Sequence, residues 1–447
     1  MGWLSIIMVV GAVSAWTVLD LAKHPVWLIS WGVVGFAGLV VEAVNCRSRS
    51  IGGVARIMVV AALLRGIGLL IVPTLSSDIY RYAWDGQVAL SGANPYLTTP
   101  DATELIPLRS ALWQRVDHRD IPTVYPPLAL ASFALASAGP IPIMTLKVMY
   151  GSLDLLSVWL LIGILRNRAI HPGWAVGYAW NPLVVLETAG MGHVDSLGVL
   201  LLLAAVASTD LRRERATGLA VAGAVLAKAV PVVALPLWLR STHWVSVAAR
   251  SRFVVAALAT LFIVSGTWLW RLGGIPPGWF KFGVSWEFNG PLFEPLWRTL
   301  GVLAIPDIVT AGLDTLKDWT GQHGYWNRFY PYNYPQFLAK LLLAGSLAWF
   351  LVRAWQAATL EIGLRRVFFG VLLFSATVYP WYLLWVLPWA VVTRRVSYLV
   401  LSALALISYV PQLMGQPVFP LYWSVMWGGF GAAWLAERWR QDREHNA

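Results

Sequence analysis

VARIMVVAALLRGIGLLIVPTLSSDIYRYAWDGQVALSGANPY (Val54–Tyr96) joins two kinds of sequence that seldom adjoin in a soluble chain. Its first half, to Leu75, is apolar apart from Arg56 and Arg65 and has the length of about 20 residues that crosses a bilayer as a helix. Its second half carries Asp78, Arg81 and Asp85 among Tyr80, Tyr82, Trp84 and Tyr96. If the first half spans, the second emerges as an acidic, aromatic segment at a membrane surface. The fold therefore turns on whether such apolar runs recur.

They recur along the whole chain. Of the 447 residues, 58% are hydrophobic and 12% charged, about half the charge of a typical soluble domain. The runs predict helices at 3–22, 26–45, 54–75, 141–165, 172–189, 195–209, 216–239, 251–270, 336–355, 364–392, 396–413 and 417–436. No linker, low-complexity tract or short repeat interrupts them. The expected fold class is an all-α polytopic membrane protein, one integral domain over residues 1–447 with about 12 spans, some of them broken. The first segment lacks a basic n-region and a small-residue cleavage site, so it is expected to remain as a span.

The net charge of +11 raises the question of nucleic acid, but its distribution answers otherwise. Basic residues gather in short clusters between apolar runs: Arg47/Arg49/Arg56, Arg166/Arg168, Arg212/Arg213/Arg215, Arg250/Arg252, Arg365/Arg366, Arg394/Arg395 and Arg438/Arg440/Arg443. Short Lys/Arg-rich loops mark the cytoplasmic side, so the excess reads as topology and contact with the lipid bilayer. The single cysteine, Cys46, excludes an internal disulfide and a cysteine-based metal cluster.

With Arg47–Arg56 inside, the clusters fall on the cytoplasmic side, as do both termini; Lys23 and His24 alone sit against the rule. Two long segments are then external, both expected to carry short interfacial helices: 76–140, a first catalytic loop followed by an interfacial helix at 128–138, and 271–335, a second loop. Their richness in Trp, Tyr, Phe and Pro predicts folded caps rather than disorder. Prolines interrupt AKAVPVVALP (Ala227–Pro236) and YPWYLLWVLP (Tyr379–Pro388). Irregular backbone at membrane depth is tolerated where it borders a cavity, so both breaks are expected to wall an outward-facing cavity.

The polar residues that follow all fall toward that side. At helical spacing Asp78, Arg81, Tyr82 and Asp85 share a face, either as a solvated ion pair or as a carboxylate held at the cavity mouth. Tyr125 precedes the Pro126-Pro127 entry to the interfacial helix. Lys147 and Asp154 are ionisable within a span, a default functional hypothesis, with helix orientation as the alternative. His193 and Asp195 occupy the tip of the glycine-rich AGMGHVDSLG, and Lys228 immediately precedes the break at Pro231. Glu187, Glu287, Asn289, Glu294 and Tyr382 are further cavity candidates.

The order DIYRYAWDGQVALSGANPY, TVYPPLALASFAL, LKVMYGSLDLLSVWLL and AWNPLVVLETAGMGHVDSLGVLLLL, with the looser YPWYLLWVLP, resembles the polyprenyl-phosphate-sugar-dependent glycosyltransferases of the C fold class. It is most similar to the bacterial mannosyltransferase branch that includes the phosphatidylinositol-mannoside enzymes. The resemblance covers roughly residues 54–240. It implies an inverting hexosyl transfer, with Asp78 as general base, from a polyprenyl-phosphate sugar, mannose in that branch. The acceptor would be a glycolipid or lipid-linked glycan on the outer face of the cytoplasmic membrane. Arg81, Asp85, Tyr125, Lys147, His193, Asp195, Lys228 and Tyr382 are the expected substrate-binding residues, with the donor phosphate assigned to Lys228 and Lys147. Some members carry adjacent acids and a divalent metal in the first loop. Here Ser77 precedes a lone Asp78, so no metal or other cofactor is expected. A transporter or flippase of lipid-linked sugars is the competing reading; it would favour inverted repeats or cations spread through the membrane.

Overall fold

The computed structural model describes residues 3–46, 53–240, 244, 246–272 and 276–446. Arg47 and Arg49 of the first basic cluster lie outside the described residues. Among the described residues about 75% are helical and no strand forms, which settles the all-α class. Five helices are long and apolar enough to cross a membrane, or seven if each of two bent pairs is one span.

The chain opens with α1 (Leu4–Ala15), α2 (Pro25–Cys46) and α3 (Gly53–Gly68). Both α1 and α3 stop about seven residues before their apolar runs do. Leu69–Ser77 instead forms turns whose carbonyls find a partner elsewhere: Lys147 Nζ donates to Leu69 O at 2.7 Å and to Ile71 O at 2.5 Å. The opening acidic segment then forms α4 (Asp78–Leu90), followed by α5 (Pro127–Ser137) and α6 (Pro142–Asn167). The helix expected at 128–138 thus forms within one residue of those bounds, started by the Pro126-Pro127 pair. Its contact with α4 requires glycine: a Cβ on Gly86 would stand 2.4 Å from Phe133 O.

The run 172–189 is not one helix. Pro182 stops the preceding turn, Asn181 caps the next by accepting from Leu183 N, and Leu186–Gly190 is a π-helical turn. A bend of 115° then leads into Asp195–Asp210, with Gly192 at φ +72°. The 216–239 run breaks at Lys228, as its proline predicts: Glu214–Ala227 ends there and short turns Val230–Ala234 and Leu235–Arg240 follow. The 364–392 run breaks likewise into Leu360–Phe374, Pro380–Trp385 and Leu387–Val392. Within residues 271–335, Pro277–Ser285, Phe293–Val302 and Ile305–Thr320 are helical.

The bundle has two distinct ends. At one, Arg168 bonds both carboxylate oxygens of Asp210 at 2.8 and 2.9 Å and also Glu361, joining three helix ends rich in arginine. At the other, α4 and α5 roof the bend at Gly190–Asp195; Ile79 packs on Gly192, whose φ of +72° favours glycine. Between the ends, Arg65 and Asp154 form a buried pair at 2.6 Å, satisfied further by Tyr178 and Thr188. Asp154 therefore ties α3 and α6 to the π-helical turn, the orienting role among its two expected alternatives.

Candidate active site

The site is assembled where α4, the 190–195 bend, the Lys228 break and the Pro380 break converge. Asp78 opens α4 directly after two serines, and Ser76 Oγ accepts from its backbone N–H. Its side chain keeps 31% exposure, whereas His193, Glu187 and Asp195 behind it are fully buried. Burial pushes the Asp78 carboxyl up to about 6, against the lowering pull of Lys228 and the Tyr82 hydroxyl and with a further raising push from Asp195.

Around Asp78 the groups form two connected sets. Tyr82 hydroxyl donates to Asp78 Oδ2 at 3.4 Å, and its ring stacks on Phe133 and meets Tyr125 edge-on. His193 Nδ1 lies 3.8 Å from Asp78 Oδ2, and its Nε2 lies 3.2 Å from Glu187 Oε2. Tyr409 donates to Glu187 Oε1 at 2.8 Å. The line Asp78, His193, Glu187, Tyr409 thus runs from the half-open carboxylate into the core. Both His193 nitrogens and Glu187 Oε2 lack a hydrogen bond among the described residues. The ring is nonetheless held in place: it stacks on Trp381 at 4.1 Å, Trp381 on Tyr379, and Tyr379 on Phe288.

The second set begins at Asp195. Lys228 Nζ donates to both its carboxylate oxygens, at 2.9 and 2.8 Å, and Trp385 Nε1 donates to Oδ1 at 2.6 Å. Tyr382 presents its ring 5.1 Å below the Lys228 ammonium. The Lys228 ammonium thus sits at a helix break with 18% exposure, held by a fully buried carboxylate.

Of the residues singled out from sequence, Asp78, His193, Asp195, Lys228 and Tyr382 come together, with Tyr125 in the aromatic wall beneath Tyr82. Arg81, Asp85 and Lys147 engage other partners. Arg81 Nε bonds Asp85 at 2.8 Å, and its guanidinium reaches the carbonyls of His118 and Ile121, so this pair fastens the first loop onto α4. Burial also raises the Asp85 carboxyl, which Arg81 opposes. Lys147 is 2% exposed and spends its ammonium on the turn after α3. Trp381, Trp385 and Tyr409 escaped the sequence reading because nothing distinguishes them among 27 tryptophans and 15 tyrosines. Glu187 did carry a signal, an acid inside an apolar run. Among the described residues no group of three or more His, Cys, Asp or Glu side chains has a metal-holding arrangement.

Fold and site together define a polytopic helical membrane protein with a cluster of acids, Asp78, Glu187 and Asp195, at one end of its bundle. Comparison with known families takes the definition further. The family model described as alpha-(1→6)-mannopyranosyltransferase, N-terminal domain, matches residues 3–270. That is more than half of the chain, and the protein belongs to this family of mannosyltransferases of the C fold class. It is a glycosyltransferase. No individually curated protein matches the chain.

Proposed function

We propose that this mannosyltransferase takes mannose from a polyprenyl-phosphate donor and passes it, with inversion, to a glycolipid or lipid-linked glycan at the outer face of the cytoplasmic membrane. In this reading the shorter and broken helices complete a bundle of about twelve crossings with both termini cytoplasmic. The arginine-joined end lies inside and the Asp78 end outside. An α-(1→6) linkage follows the description of the family.

The observation that carries the reading is the half-open Asp78 carboxylate backed by wholly buried groups. A sugar hydroxyl is a weak nucleophile, and a carboxylate within reach can accept its proton as the new bond forms. The acceptor oxygen bonds to the anomeric carbon, the bond from that carbon to the phosphate oxygen breaks, and the electron pair leaves with the polyprenyl phosphate. The acceptor proton passes to Asp78. A β-linked donor thereby yields an α-linked product. The leaving group is already a stable anion, so it needs cations and donors rather than an acid; Lys228, aimed by Asp195 and Tyr382, meets it. Tyr125 borders the acceptor, and His193, buried behind Asp78, backs the carboxylate. Arg81 and Asp85 hold the loop that covers it, and Lys147 supports the turn that leads into α4. No metal takes part, and EDTA leaves the rate unchanged.

The test is to give purified protein in lipid vesicles either polyprenyl-phosphate mannose or a nucleotide mannose, together with a membrane lipid extract. Consumption of the lipid donor with appearance of a mannosylated lipid supports the reading. Use of the nucleotide sugar alone, or movement of lipid-linked mannose between leaflets without a new glycosidic bond, overturns it.

A further inference from the structure

The helix Ile305–Thr320 in the second external segment has no buried residue, although it is 16 residues long. Its predecessor, Phe293–Val302, runs beside the apolar helix Pro335–Ala354: Phe293, Leu300, Ala339 and Leu343 form one buried cluster. A Cβ on Gly301 would come within 3.6 Å of Pro335, so the end of the first helix is level with the beginning of that apolar helix. There the backbone turns through Ala304, at φ +53°, and Ile305–Thr320 departs at 65°.

One side of the departing helix is occupied by the chain that returns to Pro335. Tyr330 hydroxyl donates to Asp314 at 2.5 Å, and Asn333 Nδ2 donates to Pro306 O and to Thr310 Oγ1, each at 2.7 Å. The opposite side is apolar and bare. Ile308 is 63% exposed and Trp319 82%, and the elbow adds Val302 at 86% and Leu303 at 59%. At 100° per residue Ile308, Thr315 and Trp319 fall within a narrow stripe, flanked by Ala311 and Leu316. Asp307, Asp314 and Asp318 line one edge, and Lys317 is the sole basic residue of the helix.

We propose that this stripe rests on the outer surface of the same bilayer, immersed at the boundary between headgroups and acyl chains. The elbow stands beside the start of Pro335–Ala354, a helix long and apolar enough to span, which the proposed topology puts at the outer surface; Leu341, Leu342 and Trp349 of that helix are themselves more than half exposed. The bare stripe thus begins at the end of a candidate span whose exposed apolar side chains suit lipid. Amphipathic helices that lie in the interface bury their apolar face about 5–10 Å into that zone, and tryptophan is enriched there. The acidic edge sets the chemistry of the contact. It depends on apolar immersion and not on attraction to anionic headgroups, so a zwitterionic bilayer suffices. The inference depends on the protein being membrane-embedded and is independent of the role given to Asp78.

Spin labels on single cysteines at Ile308, Trp319 and Asp318, in a Cys46→Ser background reconstituted into phosphatidylcholine vesicles, test it. Labels at 308 and 319 are expected to collide several-fold more with oxygen, relative to a water-soluble nickel chelate, than the label at 318. Photocrosslinking from benzoylphenylalanine at position 319 of the otherwise native chain adds a readout without cysteine substitution, with phosphatidylcholine adducts expected by mass spectrometry. Equal nickel accessibility at the three positions, or crosslinks to a second copy of the chain in place of lipid, overturns the proposal.

Discussion

Acidification reads the state of Asp78 directly. Burial places its carboxyl at about 6, the other influences being the Lys228 ammonium, Asp195, the Tyr82 hydroxyl and Arg81. A base must be ionised to accept the acceptor's proton. With that value the ionised fraction is about 90% at pH 7 and about 10% at pH 5, so kcat/KM falls about tenfold across this interval. An ordinary exposed aspartate, near 3.9, would lose less than about a tenth of its activity over the same range. The assay is initial-rate mannosyl transfer at fixed, subsaturating donor in mixed micelles from pH 4.5 to 8, with the enzyme returned to pH 7 afterwards to show that the loss is reversible. Stability runs in the opposite direction. A carboxyl raised on folding favours the folded state below its unfolded value near 4 and loses that contribution as the pH rises through about 6. Acid therefore does not unfold the protein through Asp78, and Asp78→Asn has no stability to lose at neutral pH. A flat rate between pH 5 and 7 would refute the assignment of the base to this carboxyl.

Further expectations concern the surroundings of the site. Asp154→Asn leaves Arg65 buried with a neutral partner in place of its carboxylate, and breaking a buried pair costs about 3–5 kcal/mol; thermal unfolding in detergent should show a clear drop that the double variant Arg65→Met/Asp154→Leu partly restores. Lys228→Gln removes the charge proposed to meet the donor phosphate, and charged hydrogen bonds are worth about 1.5–3 kcal/mol, so the KM for the lipid donor should rise about ten- to hundredfold. An unchanged KM removes the phosphate role of Lys228. Gly86→Val drives a side chain into the Phe133 carbonyl and should separate α4 from α5, lowering kcat with Asp78 intact; wild-type activity would show that the close approach of these helices is dispensable.

How much of this was legible beforehand depends on the range of the interaction. Proline breaks are local, and so Lys228 at the end of Glu214–Ala227 and the bounds of α5 could be read from the chain alone. The acid at the head of α4 was equally plain as a residue, since it follows closely on an apolar run, although an acid in a first helical turn also has a structural use. The run 172–189 holds a local break of the same kind, Asn181 capping the turn that Pro182 opens, but the π-helical turn that follows is set by packing: Ala189 lies against Gly68 and Gly151 on two other helices. The deeper part of the site is held by contacts of very long separation, Tyr409 to Glu187 across 222 residues and Trp385 to Asp195 across 190. No periodicity encodes such pairs. Lys147 shows the converse error. Its position suggested an anion partner, but the interrupted end of α3 supplied two carbonyls first.

The central claim, that Asp78 is the proton acceptor in mannosyl transfer, is tested most directly by single-turnover transfer with purified Asp78→Asn at pH 7 and saturating lipid donor. General-base catalysis contributes about 10²–10⁴-fold, so the variant should bind donor with wild-type affinity, melt at or above the wild-type temperature, and transfer mannose at least about a hundred times more slowly. A folded Asp78→Asn that forms product at the wild-type rate contradicts the account.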